Sequence, residues 1–373
     1  MKRIFVIIIV MFLLLISSNY FAFAEDSVIV TNEAELIEAV RYSGNNIIIN
    51  DIIHIEDVII IENPITIGGT GTITVSDNHR HFRVYSQLTL RDEITLTRAD
   101  GYSGLGGGID STREIIENRS TLVMHGGRIY NNAAGYGGGI RFSGDFVMYE
   151  GMIIGNTAER DGGGIYLGGS FEMHGGKIVG NAAGRDGGGV FSRMRFFHMH
   201  GGEIVENFAE RHGGGVYSIM GRVTMYNGKI NENTAVHSGG GVHFIPEAFW
   251  SWNTTFIMHD GEINGNTAGT LGGGIYFRGR PSNSLFLNRG QISYNTAAAD
   301  GGVSAAEPFG FSVGNPDNMR IFNNTPANNH DAVEGFTFMR FITPDAYRII
   351  AIFVIALLGI FITFIRRKGK MVQ

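Results

Sequence analysis

Apolar residues along this chain recur in short alternating runs, and the runs themselves recur. One unit reads apolar-x-Met-x-x-Gly-x-Ile: Leu122, Met124 and Ile129, then Phe146, Met148 and Ile153, then Phe171, Met173 and Ile178. Further copies place Met at 199, 225 and 258, and Leu287 takes that position in the last. A second mark is a glycine triplet followed by Ile109, Ile140, Ile165, Val190, Val216, Val242 or Ile275, with a shortened version ending at Val303. The third mark is an Asn three residues after each Ile, at Asn132, Asn156, Asn181, Asn207, Asn233, Asn266, Asn295 and Asn324. A period of 25 to 33 residues identifies a solenoid or array before anything else. Side chains alternate across a strand, so each unit predicts three short strands joined by Gly- and Asn-rich corners. That is one coil of a parallel β-helix, in an all-β fold. Inward residues such as Phe171, Met173 and Ile178 stack on their copies in the next coil, and the Asn residues form a ladder inside a corner.

The N-terminal part carries the same alternation without the marks, at Ile47–Ile49, Ile59–Ile61, Ile65/Ile67, Ile73/Val75, Phe82/Val84, Leu88/Leu90 and Ile94/Leu96. Before it, Asn32-x-x-Glu35 is a capping-box start for a short helix with Leu36, Ile37 and Val40 on one face. This N-terminal cap, 25–46, is expected to cover the open end of the apolar bore. At about 25 residues each, residues 28–335 give about 12 coils and a rod of about 58 Å.

These units resemble the right-handed parallel β-helix, pectin-lyase-like superfamily. More narrowly they resemble the Gly-Gly-Ile/Asn repeats of adhesin-like surface proteins and polymorphic outer-membrane proteins. The resemblance covers roughly residues 28–330. It implies surface adhesion or glycan contact in one branch and polysaccharide cleavage in the other. The chain departs from the outer-membrane group in having an apolar segment where that group has a C-terminal β-barrel, which points to a single-membrane envelope.

Both ends bear on location. Lys2 and Arg3 precede 13 apolar residues, Ile4 to Ile16, and Ala22-Phe23-Ala24 follows. Residues 1–24 therefore read as a secretory signal cut before Glu25, with an uncleaved anchor as the alternative. Ile349 to Ile365 is 17 residues without a charge, and Arg366, Arg367, Lys368 and Lys370 follow at once. The expectation is an ectodomain over 25–335, a linker over 336–348, a transmembrane helix over 349–365 and a cytoplasmic tail over 366–373. The protein then sits at the cell surface, held in the membrane by its C-terminal helix.

Composition narrows the chemistry. The 373 residues include 55 Gly, where average usage gives roughly 26, and no Cys. Thiolate metal sites, disulfides and cysteine nucleophiles are thereby excluded. The net charge is −6, and setting aside the six terminal bases leaves −12 over residues 25–365, which argues against nucleic acid as a partner.

Candidate sites fall into three groups. A ladder after each inward Met runs His125, Tyr149, His174, His200, Tyr226, His259 and Asn288. Neighbouring His174 and His200 could share a metal or act as a general base, but no carboxylate recurs beside them to complete a ligand set, so the ladder reads as an aromatic stack that fixes register. Before the glycine triplets stand Arg160-Asp161, Arg185-Asp186 and Arg211-His212, so Asp161, Asp186 and His212 are weak candidates for a metal. In pectate lyases, which the chain resembles, stacked carboxylates hold Ca²⁺ and an arginine takes a proton, but here arginines stand beside both carboxylates. The polygalacturonase motifs Asn-Thr-Asp, Asp-Asp, Gly-His-Gly and Arg-Ile-Lys do not occur. No catalytic residue and no cofactor are assigned. The third group is the two longest insertions, His243–Thr255 and Tyr276–Ser284, which carry Phe249, Trp250, Trp252, Arg278 and Arg280. Exposed aromatics with arginine on a rigid scaffold suit a glycan or a protein partner. Binding or adhesion through this crest is the leading expectation; a polysaccharide lyase or hydrolase and a passive envelope rod are the alternatives.

Overall fold

The computed structural model describes residues 27–42, 44–75, 79–98, 107–111, 120–193, 196–219, 221–245, 255–278, 284–306, 310–313 and 318–325. The expected signal 1–24, linker 336–348, membrane helix 349–365 and tail 366–373 lie outside them. Among the described residues no helix is long and apolar enough to cross a membrane.

The turn that begins at Ile165 shows the unit. Its strands are Ile165–Leu167, Ser170–Met173, Lys177–Val179 and Ala182–Ala183. Each pairs in parallel with the strand one turn on, so that Ile165 meets Val190, Phe171 meets Phe197, Ile178 meets Ile204 and Ala183 meets Ala209. These strands define a triplet side, a methionine side, an isoleucine side and a short alanine side. The fourth strand adds to the three the sequence predicts. Two residues beside a corner are too few for an alternation to show. Over the described residues the chain is thus an all-β parallel solenoid with a single short helix.

The complete unit persists for about eight turns, fewer than the expected twelve. The early rungs are short: Asn46 pairs with Thr66 and Thr66 with Thr89, with no glycine triplet between them. The six-strand alanine-side sheet, from Ala133–Ala134 to Thr267–Ala268, marks where the unit is fully developed.

Inward residues make one continuous core. Ile165, Phe171, Met173 and Ile178 are fully buried, as are their counterparts in neighbouring turns. Phe146, Phe171 and Phe197 stack with ring centroids 4.7 and 5.0 Å apart. Each such side chain contributes about 1.5–3 kcal/mol by leaving water. At the N-terminal end, helix α1 (Glu33–Ala39) starts where expected, with Asn32 Oδ1 accepting from the Glu35 amide at 3.0 Å. Leu36 and Val40 enter the core, but Ile37 is exposed and Ala39 takes the inward position instead.

The Asn corner links the turns. Asn181 Oδ1 accepts from both the backbone amide and Nδ2 of Asn156, each at 2.9 Å. Asn181 Nδ2 donates to Asn207 Oδ1 and to the carbonyl of Ile153, again at 2.9 Å. One buried side chain therefore ties together three turns. The same pattern runs through Asn207, Asn233, Asn266 and Asn295. The residue before each ladder Asn is left-handed, whether glycine (Gly155, Gly180, Gly265) or not (Asn131, Glu206, Glu232, Tyr294). The non-glycine corners store strain of about 1 kcal/mol each, which the ladder holds in place.

The glycine triplet is demanded on three separate grounds, seen at Gly162-Gly163-Gly164. Gly162 has φ +73°. A Cβ on Gly163 would come within 2.4 Å of two carbonyl oxygens, those of Ala182 and Gly188. A Cβ on Gly164 would lie 2.7 Å from the Gly189 oxygen and 3.1 Å from the Asn181 amide. The triplet is a steric consequence of the ladder beneath it.

Replacing Asn207 by Ala deprives the Asn181 amide and the Ile178 carbonyl of partners inside the core. The expected loss is at least about 3 kcal/mol, read as a lower denaturant midpoint, because buried polar groups without partners carry their full desolvation cost. The exposed Lys177→Ala breaks a 2.8 Å pair with Glu203 and is expected to cost less than about 1 kcal/mol.

Candidate functional site

With the interior fixed, every outward position acquires the same neighbours on each turn. On the triplet side the residue after the inward Ile or Val faces out. Tyr166 pairs with Phe191, Phe191 with Tyr217, Tyr217 with His243 and His243 with Tyr276. Their rings stack at 4.9, 5.3, 5.0 and 4.7 Å. Phe191, Tyr217 and His243 are buried, and Tyr166 and Tyr276 are half-buried. This ladder follows five of the glycine triplets directly and is readable as a ring residue after Ile165, Val190, Val216, Val242 and Ile275, whereas Asp110 and Arg141 follow the first two triplets. The sequence reading used only the inward residue of that pair.

Beside it runs the corner that precedes the triplets. Asp186 and His212 are bridged in parallel, and His212 is bridged to Ser238. The arginines sit one turn out of step with the carboxylates: Arg185 Nε lies 3.7 Å from Asp161 Oδ1, and Arg211 Nε lies 3.8 Å from Asp186 Oδ1. Corner and ladder together wall a cleft of about 510 Å³. Tyr166, Phe191 and Tyr217 line it, together with Arg141, Arg185, Arg193, Arg211 and the two aspartates. Tyr136 closes one end, packed edge-on to Tyr166 at 5.5 Å and capped by the Arg160 guanidinium at 4.9 Å.

The electrostatics of the cleft are unusual for a solvated surface. Burial pushes the Asp186 carboxyl up to about 6, against the opposing pull of Arg211, and nearby Asp161 adds to the rise. Burial also raises Asp161, with Arg185 opposing. His212 is lowered to about 4 by burial and by the Arg211 charge, and His243 is held well below its usual range by burial. Four guanidinium groups thus face two carboxylates that resist ionisation, and the cleft is locally cationic on a chain of negative net charge. Arg141 Nε and Nη1, Asp161 Oδ1, Asp186 Oδ1 and His212 Nδ1 have no hydrogen-bond partner within the protein. An arginine fork of this kind matches a carboxylate or phosphate in two parallel bonds.

The sequence-derived candidates divide accordingly. Asp161 and Asp186 line this cleft and His212 is bridged to Asp186 one turn on, but a guanidinium stands beside each carboxylate, and Ca²⁺ requires six or more oxygens. Phe249, Trp250, Trp252 and Arg280 lie outside the described residues. Arg278 ends the strand Ile275–Arg278 and is exposed. The two insertions leave the strands Val242–Ile245 and Ile275–Arg278, which bear His243 and Tyr276 of the aromatic ladder. Those two strands belong to the triplet side, and residues 246–254 and 279–283 of the insertions lie outside the described residues.

The raised Asp186 carboxyl gives a pH test. Its folded value of about 6 exceeds its ordinary 3.8, so the stability it allows is full below about pH 4 and is lost as pH rises through 6. Asp186→Asn is expected to melt above the parent at pH 8, with the difference closing by pH 4. Comparing the two proteins at each pH cancels the opposite trend from His212 and His243. A difference independent of pH would refute the burial argument.

The chain matches no protein-family model, no curated protein and no solved structure.

Proposed function

We propose that this chain is a cell-surface binding protein that holds an acidic glycan against the triplet side of its solenoid. The observation carrying this reading is a cleft lined both by the stacked rings of Tyr166, Phe191 and Tyr217 and by four arginines, of which Arg141 has Nε and Nη1 without a hydrogen-bond partner. A sugar ring offers an apolar face to an aromatic ring and a uronate offers a carboxylate to a guanidinium fork. A repeat of one turn lets successive sugars meet equivalent groups, as extended ligands on solenoids require. In this reading Phe249, Trp250, Trp252, Arg278 and Arg280, in the insertions that follow two strands of the triplet side in sequence, add contacts to the ligand. The location rests on the sequence: an exported chain with a C-terminal helix in the membrane and its tail in the cytoplasm. In this reading the solenoid is right-handed and pectin-lyase-like, the hand that crossover connections between parallel strands overwhelmingly take.

A second reading has one observation in its favour. A carboxyl titrating near 6 beside an arginine, in a cleft with an aromatic floor, suits general acid–base chemistry on a polysaccharide. Lyase or hydrolase action would release unsaturated or reducing ends.

The test is titration of the full-length protein in detergent micelles with uronate-containing and neutral oligosaccharides, followed by calorimetry. Saturable binding of the acidic set is expected, weakened at least tenfold by Arg141→Ala and by Tyr166→Ala with the β circular dichroism unchanged. Equal binding of both variants and parent would remove the cleft from the account, and new chain ends in the same samples would favour the enzyme.

A further inference from the structure

The methionine side carries a second cluster, independent of the cleft. Glu172 and His174 project from the strand Ser170–Met173 and the bend after it, and His198 and His200 do so one turn later. Glu172 pairs in register with His198. His174 Nε2 stands 3.5 Å from Glu172 Oε2. The ligating atoms of Glu172, His174 and His200 all lie within 4.8 Å of one another. The sequence reading treated the His/Tyr ladder as a stack because no carboxylate recurs beside it. Glu172 corrects that for one rung: it is two residues before His174, hence on the same outward face, and the alternation of a strand brings the two together.

The ladder orients the imidazoles. Tyr149, His174, His200 and Tyr226 stack at 4.9, 4.6 and 4.6 Å, with rings within 12° of parallel. His198 stands edge-on to His200 at 6.3 Å and 89°. Tetrahedral ligands around a zinc-sized ion at about 2.1 Å sit about 3.4 Å apart, so these groups must close by about 1 Å. His174 and His200 also have to rotate, since parallel rings direct their lone pairs side by side rather than at one point. All three ligands are exposed, so rotation about their side-chain bonds meets no core packing.

We propose that Glu172, His174 and His200, with His198 as the fourth donor, bind a divalent transition ion of the zinc class. Three imidazoles and one carboxylate suit such an ion and not Ca²⁺ or Mg²⁺, which take oxygen ligands. Bound there, the ion bridges two successive turns and adds a non-hydrogen-bonded link between them on the outer surface. Nothing in this assignment depends on the glycan reading, since the cleft lies on the triplet side.

The test uses the full-length protein in detergent micelles, purified without a histidine tag. Zn²⁺ is titrated calorimetrically, with Mg²⁺ and Ca²⁺ as comparison ions and Co²⁺ as a spectroscopic probe. The proposal predicts one Zn²⁺ per chain, visible Co²⁺ bands of a tetrahedral site, and a melting temperature raised by Zn²⁺ but not by Mg²⁺. His174→Gln and His200→Gln are each expected to weaken binding at least tenfold, and Glu172→Gln less, whereas His125→Gln, in the same stack, leaves it unchanged. The absence of saturable Zn²⁺ binding in the parent overturns the proposal. So does unchanged affinity in His174→Gln and His200→Gln, or an equal loss in His125→Gln. Should either variant fail to fold, the Zn²⁺-dependent melting shift and Co²⁺ spectrum of the parent decide alone.

Discussion

The interaction on which everything else depends is the buried asparagine ladder. Strand pairing alone fixes parallel stacking, but a parallel sheet tolerates a slip of register far more readily than a hydrogen-bonded side-chain ladder does. Each Asn amide takes an acceptor from the turn on either side, and its oxygen takes two donors from one neighbour. A slip by one residue would leave those buried groups without partners at every corner simultaneously. The glycine triplets, the left-handed corners and the close approach of backbone to backbone all follow from keeping those side chains inside.

A locked register has consequences on the outside. Residues one turn apart become neighbours at a spacing of about 4.8 Å, which is close to aromatic stacking distance and within reach of ion pairs. That is why this chain carries a Tyr/Phe/His ladder on the triplet side, a His/Tyr ladder beside the methionine side, and Lys177–Glu203 and Lys229–Glu262 pairs between. Functional chemistry on such a scaffold is assembled across turns rather than within loops. Asp161 is met by Arg185 and Asp186 by Arg211, each from the next turn, and the proposed ion site takes donors from two turns.

How far the sequence discloses this depends on periodicity. Phe171, Met173, Ile178 and Asn181 repeat at fixed offsets, so strands, inward positions and the recurring corner Asn are legible directly. Ala182–Ala183 is not, because two small residues show no alternation. The turn count is misjudged because the rungs before Ile109 have no mark to count. Ile37 was expected inward, but the seven-residue helix turns it outward and buries Ala39. For the sites, the pairing of an arginine with the preceding turn's aspartate and the proximity of Glu172 to His174 require knowing which way side chains face. The outward ring residue after the triplets from Ile165 to Ile275 is visible in the sequence beside the stronger glycine signal. Burial, which sets the Asp186 and His212 titrations, has no sequence signature at all.

Hydrogen exchange of the full-length protein, resolved to single turns, tests the central claim most directly. If the asparagine ladder locks the solenoid, the backbone amides of Asn156, Asn181, Asn207 and Asn233 are among the slowest in the chain, and protection falls toward both ends, where the ladder stops. Asn207→Ala should then speed exchange at Asn181 and in the turns on both sides together. Fast exchange at the Asn corners while the strands between them remain protected would contradict the account, and would leave apolar packing alone as what holds the turns in register.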